Sequence, residues 1–154
     1  MKIVELHSLN DAQVADLLAL MAELNASIPV TPEMLHATVA SPSTHLFAAV
    51  CEEGESAGGA GAPVPGGIAG CASLCVFASP TGLKASVEDV VVGSAFRGQH
   101  LGRALLEHII SYARVELAPV DIHLTSRPSR VAANALYRSL GFTQKETNVY
   151  IFKL

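Results

Sequence analysis

The 154-residue chain has no tryptophan, and phenylalanine and tyrosine together make up only 5% of it. A core built here must be aliphatic. Charged residues are also sparse, at 16%, and the formal net charge is −4. That balance argues against a dedicated nucleic-acid binder, which needs a basic face. The apolar runs fall far short of the ~20 residues a membrane-spanning helix requires, so no membrane partner is expected. The start MKIVELHSL has no apolar signal region, which points to a cytoplasmic setting and leaves a nuclear one open. Three cysteines, Cys51, Cys71 and Cys75, are too few and too odd in number for a disulfide framework and read as reduced thiols. Cys71 and Cys75 lie four apart on a strand-like stretch, but no paired His or Cys pattern accompanies them, so no metal is expected.

Half of the residues are apolar, enough for one folded domain spanning 1–154. Lys2–His7 alternates as a strand. Asn10 or Asp11 caps a helix with Val14, Leu17, Leu18 and Met21 on one face. Thr31-Pro32-Glu33 opens a second, short helix to about Val39. His45–Cys51 and Ile68–Phe77 read as strands. Between them, Glu52–Gly67 is rich in glycine, proline and alanine and reads as a mobile hairpin loop. Pro80-Thr81-Gly82 is a turn before the strand Val87–Val92, and the three strands suggest an antiparallel meander. A helix of some four turns follows, with Leu101, Leu105, Ile109 and Tyr112 inward, ended by Pro119. Val120–Thr125 is a further strand. Ser126–Ser129 caps a helix over Arg130–Leu140 that Gly141 stops, and the alternating tail Thr147–Leu154 closes the sheet. The expected fold is α/β of the α+β kind: a mixed, mostly antiparallel sheet of about six strands with about four helices.

The stretch Val87–Leu106 carries the chemistry. A strand runs into Arg97-Gly98-Gln99-His100-Leu101-Gly102 and then into a helix beginning at Arg103. A glycine-bearing loop at a helix start aims several backbone N–H groups at one spot, a site suited to phosphate or pyrophosphate. Arg97 and Arg103 flank it with charge. The competing explanation is a strand-to-helix turn that uses glycine for geometry alone.

The element order and this loop resemble the GNAT superfamily of acetyl-CoA-dependent N-acetyltransferases. The family's loop is Arg/Gln-x-x-Gly-x-Gly/Ala. Arg97 and Gly102 match it, whereas His100 stands in place of the middle glycine. His100 then faces solvent in ordinary helical geometry, bonds or stacks at the cofactor, or weakens binding. A second stretch, Asn134-Ala-Leu-Tyr137-Arg-Ser-Leu-Gly141-Phe142, resembles the family's Asn … Leu-Tyr … Leu-Gly-Phe segment. The resemblance implies a role for Tyr137 near the sulfur of coenzyme A and for Asn134 at the pantetheine arm or nearby backbone. It also implies that the fourth and fifth strands splay, so that the backbone of Val90, Val91 and Val92 pairs with pantetheine.

On this reading acetyl-CoA is the co-substrate, its pyrophosphate held by Arg97, Gly98, Gln99, His100, Leu101, Gly102 and Arg103. The acetyl group passes to a primary amine of a small molecule or peptide by direct attack. Glu88 is taken as the base, Tyr137 as the acid that protonates the leaving thiolate. Simple strand alternation puts Glu88 and Asp89 on opposite faces, so that only one of them looks into the cleft. His45, Phe47, Phe77 and Tyr150 are candidates for the acceptor pocket. The same motifs also resemble glucosamine-6-phosphate N-acetyltransferases, for which Arg127, Arg130 and Arg138 are available cations. A non-catalytic acyl-CoA-binding module is the alternative of another class, and a homodimer is compatible with the exposed strand edges.

Overall fold

The computed structural model describes residues 1–52 and 65–154. The Gly/Pro-rich hairpin expected at 52–67 lies almost wholly outside them. Two compact units are present, residues 1–124 and 125–154.

The first unit is a five-stranded sheet in the order β1 (Lys2–Leu6), β2 (Thr44–Val50), β3 (Ile68–Ser79), β4 (Gly82–Val92) and β5 (Asp121–His123). The first four are antiparallel neighbours, and β5 runs parallel to β4. The meander and the mixed, mostly antiparallel sheet match the sequence expectation. Five strands form where about six were expected. The missing strand is the tail: residues 143–154 carry neither helix nor strand, and Val149, Tyr150, Ile151 and Phe152 are exposed. Alternation marks a stretch able to form a strand, but a strand exists only where a partner supplies its hydrogen bonds.

Helices α1 (Asp11–Leu24) and α2 (Pro32–Ala40) cover one face of the sheet. Asn10 caps α1 in a reciprocal box with Gln13: the Gln13 N–H donates to Asn10 Oδ1 at 2.9 Å and the Asn10 N–H donates to Gln13 Oε1 at 3.1 Å. Thr31 caps α2 with Pro32 in its first turn. Val14, Leu17, Leu20 and Leu35 bury against Leu6, Leu46, Cys71 and Val91. Leu20 takes the buried place the periodicity gave to Leu18 and Met21, which are half-buried.

Helix α3 (Leu101–Tyr112), continued by a π-helical turn over Ala113–Leu117, covers the opposite face. There Leu101 and Phe96 bury against Ala49, Cys51 and Ala69. Leu105, Leu106 and Ile109 are fully buried, as the amphipathic spacing predicts.

Two irregularities shape the sheet. Between Ala49 and Val50 the β2–β3 register shifts. There the N–H of Ile68 is taken by Asp16 Oδ2 from α1 at 2.9 Å. In β4, Cys71 faces Val91 while Ser73 faces Glu88, so β4 spends one residue more than β3 over that interval. This is a β-bulge, and Asp89 sits in it with φ +52°. Close by, Gly70 of β3 leaves no room for a side chain: an added Cβ would lie 2.8 Å from the carbonyl oxygen of Val91 and 3.2 Å from the Val92 Cα. Gly70→Ala is therefore expected to lower stability by about 1–3 kcal/mol through forced separation of β3 and β4. Urea denaturation checks this; an unchanged midpoint would mean that the strands separate without cost.

The second unit carries α4 (Val131–Ser139). None of the side chains of Ser126–Ser129 caps it, contrary to expectation. Asn134 instead holds the entry to the helix, donating from Nδ2 to the carbonyl oxygens of Arg127 (2.9 Å) and Arg130 (3.0 Å). At the far end Gly141 has φ +92°. The Gly141 N–H donates to the Arg138 carbonyl and the Phe142 N–H to the Tyr137 carbonyl, both at 3.1 Å. The Tyr137 and Phe142 rings meet edge to face at 6.1 Å. Those two bonds and that contact make a Schellman stop, so the Tyr…Gly-Phe spelling has a local structural job of its own.

Candidate functional site

β4 and β5 pair only from Lys84 to Ser86 against Asp121 to His123. Beyond Ser86, among the described residues, no strand bonds to Val87–Val92 on that side. The backbone of Val90, Val91 and Val92 thus borders an open edge of the kind that accepts an extended ligand by β-addition. Val91 itself points into the core under α1.

The strand leads through Gly93 into a 3-10 turn, Ser94–Phe96, anchored by the buried Phe96. Then come Gly98 at φ +79° and His100 at φ +60°, two left-handed residues on either side of Gln99. The loop curls so that α3 begins at Leu101 with the Ala104 N–H on the His100 carbonyl (3.0 Å). The backbone N–H groups of Gly98, His100, Leu101 and Gly102 have no strong hydrogen bond to the described residues, and Leu101 and Gly102 lie at the positive end of α3. These donors are supplied by backbone and not by side chains. Leu101 contributes only its N–H, because its side chain is in the core.

His100 does not have ordinary helical geometry. It occupies the left-handed region, where an L residue costs roughly 1–2 kcal/mol. Its side chain is exposed and makes no capping bond. His100→Gly should raise stability by about 1 kcal/mol. Thermal unfolding is the check, and a loss of stability would show that the imidazole makes a compensating contact.

The two arginines are not free cations at the loop. Arg97 Nη2 meets Glu23 Oε2 of α1 at 3.0 Å, and its Nε donates to the Val92 carbonyl at 3.3 Å. Arg103 pairs with Glu107 one helical turn on, at 3.2 Å. Glu23 also accepts from the Ser94 N–H (2.9 Å) and the Ser94 hydroxyl (3.2 Å). One carboxylate of α1 thus fixes both ends of the turn that begins the loop. The pairs are exposed and individually weak, but the bond from a backbone N–H to a charged acceptor is worth more.

On the α1–α2 side of the sheet a cavity of about 180 Å³ opens. This is far above the ~10–15 Å³ that one water needs. Met21 and Leu24 of α1, Ile28 of the connection and Met34 of α2 give it apolar walls. Asn25, Thr38, Ser73 and Asp89 are polar, the last two from the sheet, and Asp89 is the sole charged residue among the described residues of the lining.

The bulge overturns the expectation that Glu88 and Asp89 face opposite ways. Glu88 stands opposite Ser73 in the register and therefore shares its face, and Asp89 reaches the cavity that Ser73 lines. Burial pushes the Asp89 carboxyl above its ordinary range, and the neighbouring Glu88 pushes it further the same way. Glu88 accepts a hydrogen bond from the Ser86 hydroxyl. Burial likewise raises Cys75, opposed by a bond with Thr44 and helped by Glu88 and Asp89. Cys71 is pushed up to about 12 by burial, which makes it an inert thiol. None of the three cysteines forms a disulfide among the described residues.

None of the residues expected to shape the acceptor pocket lines this cavity. His45 and Phe47 lie with α3: His45 Nδ1 is 2.7 Å from Glu5 Oε1 and 3.2 Å from the Tyr112 hydroxyl, and the Phe47 ring meets His108 and Tyr112. Phe77 is exposed towards the end of β3, and Tyr150 is exposed in the tail. Sequence reading missed Met21, Ile28, Met34 and Ser73. The signal available was the apolar character of the α1–α2 connection, where Ile28 and Val30 stand out in a loop.

In the second unit Tyr137 is half-buried. Burial raises its phenol above the ordinary value, opposed by the Arg130 charge, so it stays protonated at neutral pH. Among the described residues no group of three His, Cys, Asp or Glu side chains is placed to hold a metal ion. No helix there is long and apolar enough to cross a membrane.

A mixed sheet whose β4 and β5 pair only at one end, with β4 running into a glycine-bearing turn before α3, fits an acetyltransferase. The chain belongs to the GNAT acetyltransferase family, whose model it matches over residues 13–142. It is 29% identical over 126 residues to the N-alpha-acetyltransferase RimI of Mycobacterium tuberculosis, covering 79% of this chain and 69% of that protein. Among solved structures it resembles a candidate acetyltransferase from Agrobacterium tumefaciens str. C58, with 25% identity, a TM-score of 0.76 and coverage of 99% and 100% of the two chains. A Trypanosoma brucei acetyltransferase shares the fold, at 21% identity and a TM-score of 0.71 over 99% of each chain.

Proposed function

We propose that this protein transfers the acetyl group of acetyl-CoA to a primary amine in a ternary complex. Asp89 and Glu88 form its acceptor-side carboxylate pair, and Tyr137 is its acid. The observation that carries the reading is Asp89, held in the β4 bulge between the open strand edge and the cavity. The backbone N–H groups of Gly98, His100, Leu101 and Gly102 support acetyl-CoA as donor, with Arg97 and Arg103 shaping the loop. Asn134 keeps the segment before α4 in place for Tyr137.

An ammonium must lose a proton before its nitrogen can attack. Asp89 takes that role from the Glu88 assigned by the sequence, because Asp89 lines the cavity and its raised pKa makes it a better base near neutrality. Glu88 adds negative potential that draws the cation in and keeps the Asp89 pKa high. The amine nitrogen then bonds to the thioester carbonyl carbon, and the carbon–sulfur bond breaks. The sulfur takes the Tyr137 proton, and the proton released from nitrogen passes to carboxylate or water. Free thiols fit a reducing, cytoplasmic setting for this reaction. The absence of a cationic side chain among the described residues of the cavity lining favours a cationic acceptor over glucosamine 6-phosphate.

Thermal unfolding with acetyl-CoA tests the donor. At a hundredfold excess over the dissociation constant, bound ligand adds about 2.7 kcal/mol, and no shift at saturation would sink the reading. Asp89→Asn tests the base. A raised native pKa means that the folded state holds its proton more tightly than the unfolded one. Asp89 therefore favours folding below its native pKa, and that contribution is lost as pH rises through it. Removing the charge should raise the melting temperature at pH 7 while lowering kcat by at least ~100-fold. The wild-type rate should climb with pH through a carboxylate pKa above the ordinary range, and that limb should vanish in the variant.

A further inference from the structure

The cavity says more about the acceptor than that it is an amine. This step rests on the acetyltransferase reading. From the lining we infer that the acceptor is a primary amine joined to an apolar side chain of about four or five heavy atoms, such as that of leucine or methionine, and that the side chain fills the space between α1 and α2 while the nitrogen meets Asp89.

Four observations converge. The cavity is large enough for such a group, at about 180 Å³. Its walls are mostly aliphatic or thioether, with Met21, Leu24, Ile28 and Met34 among them, and Asn25, Thr38 and Ser73 add uncharged polar groups. Ile28 and Met34 are 52% and 49% exposed. Large apolar side chains left half in water at the rim of a cavity gain burial when an apolar ligand enters. Among the described lining residues charge is confined to Asp89, which suits a ligand that presents one cation and is otherwise mostly apolar. A sugar phosphate or a polyamine would bring an anion or further ammonium groups against a described lining whose one charge is the Asp89 carboxylate, and unpaired charges are costly to bury. Glycine-like amines would leave the space unfilled. Methionine is adaptable in shape, so Met21 and Met34 suit both a branched and a straight apolar chain.

The experiment measures coenzyme A thiol release with acetyl-CoA and a panel of leucinamide, methioninamide, glycinamide, spermidine and glucosamine 6-phosphate. The expected result is a kcat/KM for leucinamide and methioninamide at least tenfold above that for glycinamide and above those of the two polar amines. In Ile28→Asp/Met34→Asp the leucinamide-to-glycinamide ratio should fall towards one. The melting temperature of that variant, with and without acetyl-CoA, shows that it is folded and still binds the donor. Leucinamide should also stabilise the wild type against heat more than the variant, a readout that needs no turnover. Equal rates for leucinamide and glycinamide, or preference for a polar amine, would overturn the inference and leave the transferase reading standing. A ratio unchanged in the variant would overturn it too. Acetyl-CoA binding with no transfer to any of the five amines would overturn the transferase reading together with this one.

Discussion

The β4 bulge is the constraint on which the site depends. A regular antiparallel ladder would send Glu88 and Asp89 to opposite faces of the sheet. The extra residue places both on the α1–α2 side and turns Asp89 towards the cavity. Two carboxylates close together, one of them desolvated, repel each other. The Asp89 carboxyl consequently holds its proton to higher pH than a free one. An L residue at φ +52° adds local strain. The surrounding structure must over-determine this arrangement, and Gly70 shows how closely it does so, with no space for even a methyl group between β3 and the Val91 carbonyl.

Helix α1 connects that strand to everything else in the first unit. Its inward residues, Val14, Leu17 and Leu20, lie in the core. Asp16 supplies the acceptor for Ile68 where the β2–β3 register slips. Met21 and Leu24 wall the cavity. Glu23, between them, holds Ser94 and Arg97 at the start of the loop before α3. A single amphipathic helix therefore fixes both a wall of the cavity and the turn before α3. A rigid-body shift of α1 would change the two together, and this is the physical link between them in this unit.

Much of this was legible in the sequence because it is local. Asn10 with Gln13, Thr31 with Pro32, and Gly141 each state a helix boundary through short-range hydrogen bonding. The 3.6-residue spacing in α3 states which face is buried. The glycines at 98 and 102 announce a turn between strand and helix, and β4 does pass through a turn into α3. Period-two reading cannot see a bulge, since it assumes the alternation that the bulge breaks. It therefore separated Glu88 from Asp89 and favoured the wrong geometry for the pair. It also read Thr147–Leu154 as a strand from pattern alone, although pairing is a long-range property. His45 and Phe47 looked like pocket residues because polar and aromatic side chains on a strand suggest a site; their partners, Glu5 and Tyr112, lie 40 and 67 residues away in the chain. Arg97 and Arg103 flank the loop, each with a carboxylate beside it, Glu23 and Glu107, and the sequence alone does not show those pairings.

His100 shows why a backbone-built site tolerates what a side-chain-built site would not. A glycine at that position would adopt φ +60° freely, whereas histidine does so at a cost. The cost falls on stability and leaves the backbone N–H in place, which every residue but proline carries. The imidazole points to solvent and neither fills the cradle nor caps the helix. A substitution that departs from the loop pattern therefore changes how hard the loop is to form while leaving its donors aimed alike. The same logic separates this position from Gly70, where any side chain would meet the backbone of the neighbouring strand, and where the demand is for space and not for conformation.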